Sequence, residues 1–196
     1  MVEGLMVAVL AGGEGRRMGG VKALRPFRGA PLVAQALDRA RSWSDQVVVA
    51  VRDASQVGGA AEAPLVVDRA DIPGPLAGLA GALAHARSAG AALLLTLPCD
   101  MPDLPADLPE RLAAGLGPHA GAALPRLEGE LQPVCGLWRT TALERLVDYL
   151  ASGQSSLRGF AAACGLAAVD FSPEEAALFA NANTPEDLAR LERGEG

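Results

Sequence analysis

The chain has 196 residues, half of them apolar and only 4% aromatic, with a formal net charge of −6. That length suits a single domain able to bury its own core without disulfides or structural metal. The acidic balance excludes the broad basic face that nucleic acid or an anionic membrane requires.

The elements alternate in the rhythm of a sheet covered on both faces. Leu5–Leu10 reads as a buried first strand, starting so early that no secretory leader fits before it. A glycine-rich run, Leu10 to Lys22, follows directly. Pro31–Trp43 reads as a helix with Leu32, Val33, Ala36, Leu37 and Ala40 on one face. Val47–Val51 and Leu65–Val67 are the next strands, and Leu76 to about Ala89 is a helix of small residues. Ala91–Leu97 is a strong buried strand ending at Pro98-Cys99-Asp100-Met101-Pro102. A helix near Asp107–Ala114 precedes strands near Ala120–Leu124 and Pro133–Trp138. Thr141 and Glu144 have capping-box spacing for a helix reaching about Leu150. Ser152–Ser156 reads as a mobile loop, then come a short helix ending near Cys164 and a strand at Leu166–Phe171. Thr184-Pro185-Glu186-Asp187 starts the last helix, with Thr184 as N-cap and Pro185 at its first position. The expected architecture is α/β: a Rossmann-like three-layer sandwich with a mostly parallel central sheet. It forms one domain, with a nucleotide half to about residue 103 and an acceptor half beyond it.

Cys99, Cys135 and Cys164 are an odd set at irregular spacings, which predicts free thiols in a reducing compartment rather than disulfides or a zinc site. The apolar runs Met6–Ala11 and Ala91–Leu97 have strand length, not membrane-spanning length. A cytoplasmic location follows as the expectation.

The chemistry concentrates in two segments. The first is Leu10-Ala11-Gly12-Gly13-Glu14-Gly15-Arg16-Arg17-Met18-Gly19-Gly20-Val21-Lys22, whose glycines let backbone N–H groups turn toward an anion. Lys22 is the only lysine among 17 Lys and Arg residues, and an ammonium is a point charge that the guanidinium fork does not reproduce. Ala23 after Lys22 rules out a P-loop, and Met18 at the third glycine position rules out the dinucleotide fingerprint. A long loop carrying Arg16, Arg17 and Lys22 suits a triphosphate. The second segment places Asp100 at the carboxyl end of a parallel strand, where open α/β sheets bind ligands. A carboxylate there suits Mg²⁺ shared with nucleotide phosphates, and the alternative is a turn or capping aspartate.

Two further segments stay open. Asp71-Ile72-Pro73-Gly74-Pro75-Leu76-Ala77-Gly78, with Asp68 upstream, either receives a base or ribose or is a plain turn. Asn181 and Asn183 either bind a polar heterocycle or cap the helix that follows. Trp138, in Gln132-Pro133-Val134-Cys135-Gly136-Leu137-Trp138, is expected in the core.

From Val7 to about Leu191 these segments resemble, in order, the molybdenum cofactor guanylyltransferases (the MobA family). The discriminating stretches are Arg17-Met18-Gly19-Gly20, Gly74-Pro75-Leu76-Ala77-Gly78, Pro98-Cys99-Asp100-Met101-Pro102 and Asn181-Ala182-Asn183-Thr184-Pro185-Glu186-Asp187-Leu188. The resemblance implies GMP transfer from GTP to the molybdopterin cofactor, with Mg²⁺ as metal and cofactor-delivery proteins of the same pathway as partners. It implies that Leu10, Ala11, Gly12, Gly13, Lys22, Asp68 and Asp100 bind the nucleotide, that Asp100 holds the metal, and that Asn181 and Asn183 face the acceptor. Arg17, Lys22 and Asp100 are the expected catalytic groups, and Arg158 is a candidate for the acceptor phosphate. Three positions depart from the family pattern: Val21 for an acidic residue, Ala50 for an Asn, and Gln132 for a His. The rival readings are cytidylyl transfer to the same cofactor, nucleotidyl transfer to a sugar phosphate, and a nucleotide-binding regulatory module without catalysis.

Overall fold

A computed structural model of the chain describes residues 1–12 and 21–194. Strand β1 (Leu5–Leu10) alternates as a strand buried on both faces must. Leu5, Val7 and Val9 enter one core cluster, while Met6 and Ala8 enter another, because successive side chains point to opposite faces. A small hairpin, β2 (Pro26–Phe27) and β3 (Ala30–Pro31), leads into α1 (Leu32–Trp43). Strands β4 (Gln46–Val51) and β5 (Leu65–Val67) follow, then α2 (Leu76–Ser88), β6 (Leu93–Pro98) and α3 (Leu108–Leu116). The later half runs through β7 (Ala122–Leu127), β8 (Glu130–Leu131), β9 (Leu137–Arg139), α4 (Leu146–Ala151), α5 (Leu157–Ala163), β10 (Leu166–Phe171) and α6 (Pro185–Glu192).

The main sheet has the order β10-β7-β9-β6-β1-β4-β5, with β8 paired to β7. The β5-β4-β1-β6 block is parallel throughout, as is the β7–β10 pair; β9 runs antiparallel between β6 and β7. After β1 the chain builds outward through β4 and β5, then returns to lay β6 on the other side of β1. That reversal is a topological switch point, and the crevice outside the carboxyl ends of β1 and β6 is where such sheets take ligands.

Helices cover both faces. Val33, Ala36, Leu37, Ala40 and Trp43 of α1 and Leu108, Leu112 and Leu116 of α3 pack in one cluster. The other face is covered by α2 with Leu146, Tyr149 and Phe160. Helix α2 is buried along most of its length, and Gly81 lets it approach the edge strand: a Cβ there would lie 3.0 Å from the Val67 carbonyl oxygen. Trp138 is in the core, stacked 5.8 Å from Phe160. Among the described residues no helix is long and apolar enough to cross a membrane.

Two local expectations are corrected. Pro133–Cys135 forms a 3-10 turn and β9 begins only at Leu137, since proline brings no N–H to a ladder. Thr141 opens no capped helix; a 3-10 helix spans Thr140–Arg145 without a side-chain cap, and the Thr140 hydroxyl donates instead to the Ala91 carbonyl at 2.9 Å. The loop expected before α5 ends at Ser156, the N-cap of that helix, whose hydroxyl accepts from the Gly159 amide at 3.0 Å.

Candidate active site

A cleft of about 320 Å³ opens at the carboxyl ends of β1 and β6. Strand β1 delivers Leu10, Ala11 and Gly12 to it, β6 delivers Pro98, Cys99 and Asp100, and the start of α2 delivers Pro75 and Gly78. The floor is fixed by the sheet itself: the Ala11 amide donates to the Ala50 carbonyl at 2.9 Å, and the Cys99 amide to the Leu10 carbonyl at 3.2 Å.

Lys22 lies in a 3-10 turn, Lys22–Leu24, at the mouth of this cleft. Its ammonium pairs with the Asp100 carboxylate and donates to Asn183 Oδ1 at 2.7 Å. Both ionic side chains are largely shielded, 12% and 20% exposed, so the pair feels a lower dielectric than a surface bridge.

Asp68 also lines the cleft. Its Oδ1 is buried without a hydrogen-bond partner. Burial pushes its carboxyl above the usual aspartate range, against the pull of the nearby Arg52 charge. Two glycines make room for it: a Cβ on Gly12 would lie 3.0 Å from Asp68 Oδ2, and one on Gly78 3.2 Å from Oδ1.

The two asparagines are separated from the capping role they were weighed against. Thr184 and Asp187 make the α6 cap by themselves: the Asp187 amide donates to Thr184 Oγ1 at 3.1 Å, and Asp187 Oδ2 accepts from the Asn183 and Thr184 amides, both at 2.9 Å. Between the asparagines, Ala182 is buried with Phe27, Leu32, Leu188 and Leu191, and its amide donates to the Asp100 carbonyl at 2.9 Å. The Asn183 side chain reaches Lys22, and Asn181 lines the cleft.

Leu10, Ala11, Gly12, Lys22, Asp68, Asp100 and Asn181 therefore surround one cleft, with Asn183 joined to it through Lys22. Gly13 and Arg17 lie outside the described residues. Arg158 sits exposed on α5 and does not line the cleft. Arg52, just past the end of β4, does line it and was not singled out from sequence. Its signal was positional, a charged residue at the carboxyl end of a strand next to the switch point.

Such a cleft, with backbone glycines, the Lys22 ammonium, the Arg52 guanidinium and the Asp68 and Asp100 carboxylates beside the switch point, suits a nucleotide and its phosphates. The MobA-like NTP transferase domain matches residues 7–170. The chain belongs to this family. A molybdenum cofactor guanylyltransferase of Cereibacter sphaeroides is 40% identical over 187 residues, covering 94% of this chain and 93% of the relative. One of Rhodobacter capsulatus is 36% identical over 186 residues, covering 94% and 93%. The crystal structure of the molybdopterin-guanine dinucleotide biosynthesis protein A from Archaeoglobus fulgidus superposes with a TM-score of 0.76 at 25% identity, covering 96% of this chain and 97% of that one. This MobA-like chain is a nucleotidyltransferase.

Whether the cleft suits a metal can be judged from its donors. Among the described residues no group of three or more His, Cys, Asp or Glu side chains is arranged to hold one. Of the two cleft carboxylates, Asp68 and Asp100, the one at the end of β6, Asp100, suits a Mg²⁺ that keeps several waters and shares phosphate oxygens. It does not fit a resident metal held by protein alone.

Proposed function

We propose that the chain transfers GMP from GTP to the molybdopterin cofactor, releasing pyrophosphate and forming the molybdopterin guanine dinucleotide. The observation that carries this reading is Lys22, held between the nucleotide-side carboxylate of Asp100 and the Asn183 amide. The names of the relatives support the choice of substrates.

An anionic oxygen of the acceptor's terminal phosphate forms the new bond to the α-phosphorus. The bond from that phosphorus to the bridging oxygen breaks, and its electron pair leaves with pyrophosphate. The attacking oxygen is already deprotonated, so no general base is needed. The protein contributes alignment and charge neutralisation. Lys22 turns its ammonium to the phosphates, Arg17 adds a second cation, and the backbone from Leu10 to Gly12 lies along the nucleotide. Asn183 holds Lys22 in line, and Asn181 with Asn183 orients the acceptor. Asp100 would hold a Mg²⁺ carried with the triphosphate, and that ion would offset phosphate charge.

Asp68 supports guanine over cytosine. Guanine presents two adjacent donors, N1–H and the exocyclic amino group, to which a carboxylate is complementary. Cytosine presents one amino donor beside an acceptor ring nitrogen. Recovering a partner for a half-buried carboxylate is worth about 1–3 kcal/mol. The three unpaired cysteines support a reducing, cytoplasmic setting.

The test is pyrophosphate release with molybdopterin cofactor and Mg²⁺, using GTP, CTP, UTP and ATP in turn. Release with GTP alone is expected. A preference for CTP would assign the cytidylyl reaction, and release with a sugar phosphate as acceptor would assign that substrate. No release with any nucleotide would leave a binding module.

A further inference from the structure

The tip of the β2–β3 hairpin is built in a way its local sequence disfavours. Arg28 and Gly29 both have positive φ, 45° and 85°, the pattern of a tight primed turn that favours Asn-Gly. A β-carbon-bearing residue held there is strained, and such strain persists where surrounding contacts over-determine it.

Those contacts are specific. The Arg28 guanidinium forks onto Asp103, with Nη2 3.1 Å from Oδ2. The same Nη2 donates to the Leu191 carbonyl at 3.2 Å, and the Arg28 backbone amide donates to Glu192 Oε1 at 2.9 Å. Its guanidinium also lies 4.5 Å from the centre of the Phe27 ring, which is buried beside Leu188 and Leu191.

One residue thus fastens three segments. The hairpin follows Lys22, Asp103 follows Asp100, and Leu191 and Glu192 end the helix that begins after Asn183. Lys22, Asp100 and Asn183 are the three groups that meet inside the cleft. Arg28 ties the same three segments together on the outside, without lining the cleft itself.

We propose that Arg28 is a positioning residue of the transferase, which holds the Lys22, Asp100 and Asn183 segments in register for nucleotidyl transfer. The inference rests on the reading of that cleft as the nucleotidyl-transfer site. Asparagine or glycine would be easier at this turn but would not make the fork.

The test compares the full-length protein with Arg28→Gly, Arg28→Lys and Asp103→Asn. Arg28→Gly removes the fork and relieves the turn, so its melting temperature should match or exceed that of the unmodified protein. The Ala182 amide, which donates to the Asp100 carbonyl, should exchange with solvent roughly tenfold faster, while the Val7 amide in β1 keeps its rate. With GTP as substrate, kcat should fall roughly tenfold or more, with little change in KM for GTP, because misalignment acts on the transition state. Arg28→Lys and Asp103→Asn should fall between the two.

Unchanged Ala182 exchange in Arg28→Gly would overturn the proposal, even if turnover fell. So would faster exchange at Val7 as well as Ala182, which is global destabilisation. Faster Ala182 exchange with unchanged kcat would also overturn it. If the unmodified protein turns over no GTP, the reading of the substrate fails, and the exchange comparison still decides whether Arg28 holds the segments together.

Discussion

Lys22 and Asp100 lie 78 positions apart in sequence, yet the ammonium of one pairs with the carboxylate of the other. The group that suits phosphate and the group that suits a divalent cation neutralise each other. On the proposed function, Asp100 would take the metal of a Mg²⁺-nucleotide and Lys22 its phosphates, so the complete ligand would satisfy both groups at once. Either ligand half alone must break the pair and leave one partner uncompensated.

Lys22→Ala should therefore do more than reduce turnover. It leaves a largely shielded carboxylate without its cation, which should cost about 1–3 kcal/mol of stability. Millimolar Mg²⁺ should recover part of that loss by binding the folded state, and should affect the unmodified protein less. Urea unfolding with and without Mg²⁺ measures this. A variant as stable as its parent, with no response to the metal, would separate Lys22 from the charge of Asp100.

Asp68 should trade stability for binding. Burial raises its folded-state pKa above the ordinary aspartate value of 3.8. Between those two values the folded protein binds more protons than the unfolded chain, so stability falls as pH rises through that window. Above it the penalty is fully present. Asp68→Asn should accordingly be more stable than its parent at about pH 7 and lose that advantage as the pH falls toward about 4. The same variant should lose most of the thermal shift produced by GTP. Equal stability of the two proteins at neutral pH would show that the carboxylate carries no desolvation penalty.

Much of this site could be read before folding, because its signals are local. A buried strand followed by glycines, Asp100 at a strand end, and a threonine-proline helix start each declare themselves within a few residues; β1, β5 and β10 fall on their expected bounds. What local sequence cannot carry is convergence. Lys22 and Asn183 touch across 161 positions, and nothing near either names the other. The β2–β3 hairpin escaped for a different reason: its turn is Arg28-Gly29 in place of the usual Asn-Gly, and tertiary contacts hold it. Thr141 misled because the helix start it marks yields to a tertiary bond from its neighbour Thr140 to Ala91.

The thiols should be silent in the folded protein. Burial, then the Asp100 charge, pushes Cys99 up to about 12, with Lys22 pulling the other way. Cys135 is raised by the same two causes, and burial lifts Cys164 to about 11. The thiolate is the reactive form, so a thiol reagent at neutral pH should modify Cys164 slowly and the other two only on unfolding. Rapid labelling of Cys99 in the native protein, prevented by GTP, would instead reveal a cleft that opens widely.

Asp187 should matter to turnover more than its place on a helix end suggests. Thr184→Ala removes one cap acceptor and should cost about 1 kcal/mol, leaving the Asn183 backbone still held by Asp187. Asp187→Ala releases both the Asn183 and Thr184 amides, so the asparagine that orients Lys22 loses its anchor. Its kcat should fall further than that of Thr184→Ala at similar melting temperature. The Asn183 amide, first among several donors, holds the Asp187 carboxyl below the usual range. Its contribution is therefore present at neutral pH and fades as pH drops below the ordinary aspartate value. Melting curves of both variants at neutral and acid pH, beside kcat for each, test the order. If Thr184→Ala proved the slower enzyme, the helix as a whole, and not its grip on Asn183, would be what the site requires.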